Sequence, residues 1–81
     1  MSAADTRPER SNLARIRKGN TDLVVVAVCS FRGHRYCDVR SFYIKGEDEG
    51  PTAKGVTVPL DQLEELRDGI EAAIALRDGA Q

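Results

Sequence analysis

Catalytic chemistry calls for a nucleophile beside a base, paired carboxylates in a pocket, or a metal with an open coordination position. The chain offers few such groups. His34 is its one histidine and falls at the expected turn of a hairpin, with Cys29 and Cys37 facing each other about 10 Å further along the strands. That spread does not suit structural zinc, which takes four convergent ligands. Thiols of a reducing compartment stay unpaired, so two free cysteines are expected. Lys54-Gly55 looks like the end of a phosphate loop, but the preceding glycines and the following helix are missing. No catalytic residue, metal, cofactor or small-molecule substrate is expected.

A different chemistry lies between residues 31 and 45, where Phe31, Arg32, His34, Arg35, Tyr36, Arg40, Phe42, Tyr43 and Lys45 interleave basic and aromatic side chains. Arginine and lysine neutralise phosphates, and exposed rings stack unpaired bases for about 1–3 kcal/mol each with little sequence preference. Such a surface fits single-stranded nucleic acid, since a duplex hides its base faces. Simple alternation puts Arg40 and Tyr43 on opposite faces of a strand, so both reach one ligand only through a bulge or bend near Ser41.

These residues need a sheet to hold them. Residues 1–12 are polar, contain Pro8 and show no period, which reads as a flexible tail. A weak alternation from Leu13 to Lys18 predicts a short first strand, ended by Gly19-Asn20. Leu23 to Phe31 is rich in β-branched residues and predicts a central strand covered on both faces. Arg32-Gly33 supplies a tight turn, and Arg35 to Ile44 completes the hairpin. Lys45 to Pro51 reads as a solvated loop, and Thr52 to Val58 as a fourth short strand. From Leu60 the period changes: Leu60, Leu63, Leu66, Ile70, Ala73 and Ile74 form one stripe of an amphipathic helix running to about Arg77, with an acidic opposite face. The expected fold is α+β, a four-stranded antiparallel meander followed by one helix, with a domain over residues 13–78 and a short tail at 79–81.

Size and charge set further bounds. The 81 residues carry 12 basic and 13 acidic groups, a net charge of −1. A domain this small buries only about 60–65% of its unfolded surface, so a homo-oligomer is expected. The longest apolar run, Leu23 to Cys29, is far short of the ~20 residues a membrane-spanning helix needs. The first ten residues lack the apolar core of a secretory signal, and a cytoplasmic location is expected. Near-neutral charge argues against nucleic acid only as an average. Residues 13–46 hold seven basic groups against Asp22 and Asp38, while residues 59–81 hold six acids against Arg67 and Arg77. The chain is dipolar, basic in the strands and acidic in the helix.

Three motifs then combine in order and spacing over about residues 13–77: Phe31-Arg32-Gly33-His34, Asp38-Val39-Arg40-Ser41-Phe42-Tyr43, and Lys54-Gly55-Val56-Thr57-Val58, followed by a helix with Leu63 and Leu66. Together they resemble the transcriptional positive cofactor four family, single-stranded-DNA-binding coactivator domains with bacterial relatives. The resemblance implies a curved, whirly-like sheet, a homodimer and two sheet surfaces for unpaired strands. By position it implies stacking on Phe31 and Tyr43 and phosphate contacts from Arg32, His34, Arg40 and Lys54. Tyr43 stands where the family often has tryptophan, Ala53 where a basic residue often precedes the lysine, and His34 where lysine is common. Each departure is expected to weaken binding, and Leu63 in place of a frequent helix aromatic is expected to alter packing. The regulatory region of the eukaryotic coactivators is missing from the pattern. The function expected is single-stranded DNA binding in transcription regulation, repair or replication, in the nucleoid if the source is bacterial, with transcription or repair machinery as partners. RNA binding, or a protein-interaction adaptor of the same fold, is the alternative.

Overall fold

Branching at Cβ crowds a helix and suits a pleated strand, and four valines stand between Leu23 and Cys29. They anchor the centre of the sheet. The structure, a computed structural model, describes residues 9–79. Strands β1 (Glu9–Arg17), β2 (Asp22–Phe31), β3 (His34–Lys45) and β4 (Asp48–Pro59) are followed by one 3-10 turn over Leu60–Gln62 and by helix α1 (Leu63–Arg77). The strands lie in chain order and every neighbouring pair is antiparallel, the meander expected. Residues 1–8 of the expected tail and residues 80–81 lie outside the described residues.

Three boundaries differ from expectation, one being the helix, which begins at Leu63 after the 3-10 turn and not at Leu60. The fourth strand begins at Asp48, and the predicted loop shrinks to Gly46-Glu47. Gly46 adopts φ 62°, a left-handed conformation open to glycine at little cost, which lets the chain reverse in two residues. The first strand begins at Glu9 and not at Leu13, because β2 is long enough to pair Glu9 with Ser30 and Asn12 with Ala27. Ladder pairing overrides the polar composition of that segment.

Leu13 is an extra residue in β1: Asn12 pairs with Ala27 and Ala14 with Val26, leaving it unmatched. The bulge shifts the phase of side-chain alternation. Arg10 and Asn12 before it, and Arg15 and Arg17 after it, therefore share one face of the sheet, opposite Cys29, Ala27, Val25 and Leu23. Leu13 and Ile16 fall on the other face, beside Val24, Val26 and Val28.

The two faces differ in character. Arg15 of β1 forms an ion pair with Glu49 of β4, so the two edge strands meet on the first face. In a flat sheet these strands lie three spacings, or about 14 Å, apart. The sheet is therefore curled, with this face inside. Curling buries Leu23, Val25, Ala27 and Cys29 as the floor of the inner face. The outer face carries Val24, Val26, Cys37, Val39, Val56 and Val58 beneath Leu66 and Ile70 of α1. Cys29 pairs with Tyr36 and Cys37 with Val28, so the cysteines point to opposite faces and do not face each other; both are free thiols.

Helix α1 stands off from this apolar face. None of its residues is buried, and Ile70 and Ile74 remain 53% and 42% exposed. An open cleft of about 280 Å³, lined wholly by apolar residues and Cys37, separates helix from sheet. No described helix is long and apolar enough to cross a membrane.

Candidate nucleic-acid interface

The β2–β3 turn sets the first group of candidate side chains. Phe31 pairs with His34, and the two residues between them, Arg32 and Gly33, have φ 55° and 81°. Positive φ at both central positions matches the right-handed twist of the flanking strands. Gly33 adopts it freely, but Arg32 carries a Cβ that crowds the following carbonyl in this region. The turn places its side chain at the hairpin tip, where its guanidinium lies 5.1 Å from the centre of the Phe31 ring. Phe31 and His34 project from the inner face, and Phe31, Arg32 and His34 are all exposed.

Arg40 marks the second group, about 20 Å further along β3. Its Nε and Nη2 donate to the Asp38 carboxylate, Nη2 at 2.9 Å to Oδ1, while Nη1 donates to the Thr52 carbonyl at 3.0 Å. Opposite it, Gly55 has no side chain for a reason: a Cβ there would lie 2.9 Å from Arg40 Cζ and 3.0 Å from the Val39 carbonyl oxygen. The guanidinium fills the space a side chain would take. Between Arg40–Gly55 and Phe42–Pro51 the ladder breaks, and Thr52, Ala53 and Lys54 swell out opposite Ser41 alone. Thr52 holds this excursion, its hydroxyl donating to the Ser41 carbonyl at 2.8 Å and accepting from the Lys54 N–H at 3.1 Å. Lys54 is thereby carried to the exposed edge beside Arg40.

Tyr43 stands apart from both groups. The irregularity near Ser41 lies in β4, and the β2–β3 ladder runs through without a break. Alternation therefore keeps Tyr43 on the outer face, opposite in sense to Arg40. Its ring lies over Gly50, where a Cβ would come within 2.7 Å of it, and it is 45% exposed.

A buried acid organises the inner face. Asp38 is 2% exposed and takes Arg10 Nη1 at 2.7 Å in addition to Arg40. Burial pushes its carboxyl pKa up, but the hydrogen bonds and charges of Arg40 and Arg10 outweigh it and hold the group below the usual carboxylate value. The Asp38 hydrogen bond raises the Arg40 pKa in turn. On the outer face, desolvation and then the Asp38 charge push the Cys37 thiol up, so it is a poor nucleophile. Sequence reasoning passed over Arg10, Arg15 and Arg17, which the bulge aligns on the inner face, and Asp38. The spacing of Asp38 and Arg40, two apart on a strand and so on one face, was the available signal.

A family model described as Transcriptional Coactivator p15 (PC4) matches residues 18–69. The chain belongs to this PC4 family. Two crystal forms of a PC4 homolog from Burkholderia pseudomallei have the same fold. The orthorhombic form superimposes with a TM-score of 0.73 at 26% identity, covering 78% of this chain and 86% of that one. The tetragonal form gives the same score and identity over 80% and 97%. A search of the curated proteins finds no significant match. The PC4 match spans β2, β3, β4 and the first half of α1, and so contains every candidate contact except those of β1.

Proposed function

We propose that this chain binds single-stranded DNA with little sequence selectivity. Phosphates lie on Arg32, His34, Arg40 and Lys54 and bases stack on Phe31, whereas Tyr43, on the opposite face of β3, is not part of this surface. The observation that carries this reading is the division of the sheet: its inner face holds arginines and aromatic rings over a buried apolar floor, while the middle of its outer face, beneath α1, is apolar. Contacts spread along β3 suit an extended strand and not a compact ligand. Membership of a family described as transcriptional coactivators, and the solved PC4 homolog, support nucleic acid as the partner. The role is binding, in transcription or in repair and replication, with no chemical step.

The protein acts as a homodimer in this reading. Its exposed Ile70 and Val56 line a cleft with no polar lining, Ile74 is exposed one turn further along α1, and a second copy buries them. A titration of labelled oligo-dT at several salt concentrations, comparing wild type with Arg40→Ala and Phe31→Ala, tests the binding. Salt-sensitive binding weakened by both substitutions is expected. Unmeasurable affinity at low salt, or affinity untouched by either substitution, refutes it. A parallel oligo-U titration separates DNA from RNA, and a monomeric mass at micromolar concentration refutes the dimer.

A further inference from the structure

We propose that Arg10 and Arg40 together form one phosphate-binding site, two guanidinium groups held side by side by the buried carboxylate of Asp38. The proposal rests on the nucleic-acid reading of the inner face and adds to it a residue that lies outside the family match.

Charge balance is the first argument. One carboxylate, its side chain 3% exposed, meets two arginines whose side chains are 29% and 24% exposed. A buried acid needs one cation for neutrality. The second leaves the cluster with one unbalanced positive charge, open to solvent on the inner face.

Donor geometry is the second. Each arginine has five N–H groups in a rigid fork. Arg10 spends Nε on Asn12 Oδ1 at 2.8 Å and Nη1 on Asp38 and on the Cys29 sulfur at 3.7 Å. Its Nη2 has no partner among the described residues. Arg40 spends Nε and one N–H of Nη2 on Asp38, and one N–H of Nη1 on Thr52. Both guanidiniums thus keep spare donors while their orientation is already fixed. Arg10 is further held over the Phe42 ring at 5.3 Å, and Arg40 over Gly55. A phosphate oxygen pair takes forked donors of this kind and supplies the missing negative charge. The immobilisation of both side chains is complete before ligand arrives.

The test is an oligo-dT titration from low to moderate salt with wild type, Arg10→Gln and Arg10→Lys, each checked for folding by thermal melting. Arg10→Gln is expected to bind about tenfold more weakly at low salt. Its plot of log K against log salt is expected to be shallower by about 0.7, the loss of one phosphate on a single strand. Arg10→Lys is expected to restore the slope but not the full affinity, since it carries the charge without the fork. A purely structural arginine would change the melting temperature and leave the slope alone, and a wild-type slope in Arg10→Gln overturns the site. If Arg10→Gln does not fold, Arg10→Lys decides: wild-type affinity overturns the site, and weaker binding by a folded variant supports it. Failure of wild type to bind any oligo-dT overturns the nucleic-acid reading itself, whereas wild-type binding with an unaltered Arg10→Gln overturns the paired site alone.

Discussion

Replacing Arg32 with asparagine tests whether the hairpin tip gives up stability to place a charge. Arg32 and Gly33 occupy the two central turn positions at φ 55° and 81°. A residue with an ordinary Cβ in the left-handed region is less stable by about 1 kcal/mol or more. Asparagine is much less penalised there, and Asn-Gly is the favoured pair for this turn. Against that gain stands the loss of the Arg32–Phe31 contact at 5.1 Å, about 0.5 kcal/mol at an exposed site. The net is about 0.5 kcal/mol in favour of asparagine, a rise in melting temperature of roughly 2–4 °C for a domain of this size. Melting is compared at equal protein concentration, because the stability of the proposed dimer depends on it. Arg32→Ala is the control: it loses the ring contact and keeps the backbone strain, so its melting temperature is expected to fall. Oligo-dT affinity is expected to drop severalfold in both variants, as each removes a proposed phosphate contact. The reasoning is refuted if Arg32→Asn melts no higher than Arg32→Ala, or if both bind as wild type does.

Gly55→Ala places a methyl group 2.9 Å from Arg40 Cζ and 3.0 Å from backbone oxygen, so β3 and β4 must part; a loss of about 1–3 kcal/mol by urea denaturation, with weaker oligo-dT binding, is expected. The depressed pKa of Asp38 sets an acid limit. Its folded value lies below the unfolded one, so its stabilisation is complete above the unfolded carboxylate pKa of about 4 and is lost as pH falls through the folded value. Asp38→Asn is expected to remove that part of the acid dependence and to lower stability by about 3 kcal/mol, near the low end for a broken buried pair because both arginines reach solvent. Unfolding curves between pH 2 and 7 decide the point. Glu49→Gln releases Arg15 from an exposed ion pair, which alters stability by less than about 1 kcal/mol; two- to threefold tighter oligo-dT binding with a steeper salt slope is expected, and weaker binding counts against an inner-face site.

The hairpin of β2 and β3 was legible from its β-branched and aromatic residues and its Arg32-Gly33 turn, and the helix from the spacing of Leu63, Leu66 and Ile70; that only alternate residues of β2 are buried, and not both faces as expected, was hidden because its continuous apolar run has no period. The ends of β1 and β4 were not. Polar composition at Glu9–Asn12 and the acids and proline after Lys45 argue locally for coil, while the ladder is a long-range gain that composition does not register. Leu13 concealed more than a boundary. Read without a bulge, it belongs with Arg15 and Arg17; with the bulge it joins Ile16 and the valines, and the arginines gather on the inner face. Asp38 was counted as one more charge, though it is among the most buried side chains of the domain. The three motifs named Arg40 and Lys54 as separate phosphate contacts without showing that Thr52 bonds to both segments, and simple alternation already put Tyr43 on the face opposite Arg40, where the unbroken β2–β3 ladder keeps it.

An open four-stranded sheet has two free edges, and each is a template on which a further strand can add without limit. Here both are interrupted. In β1 the unmatched Leu13 breaks the regular spacing of backbone donors and acceptors midway. In β4 Pro51 lacks an N–H, and Thr52, Ala53 and Lys54 depart from the ladder directly after it. Each edge is left with only short straight runs, among them Glu9–Asn12 and Ala14–Arg17 in β1 and Gly55–Pro59 in β4, for a neighbouring molecule to extend. Irregularities that align the arginines and carry Lys54 outward thus also discourage edge-to-edge aggregation, and leave the apolar patch of the outer face as the surface on which the proposed dimer rests.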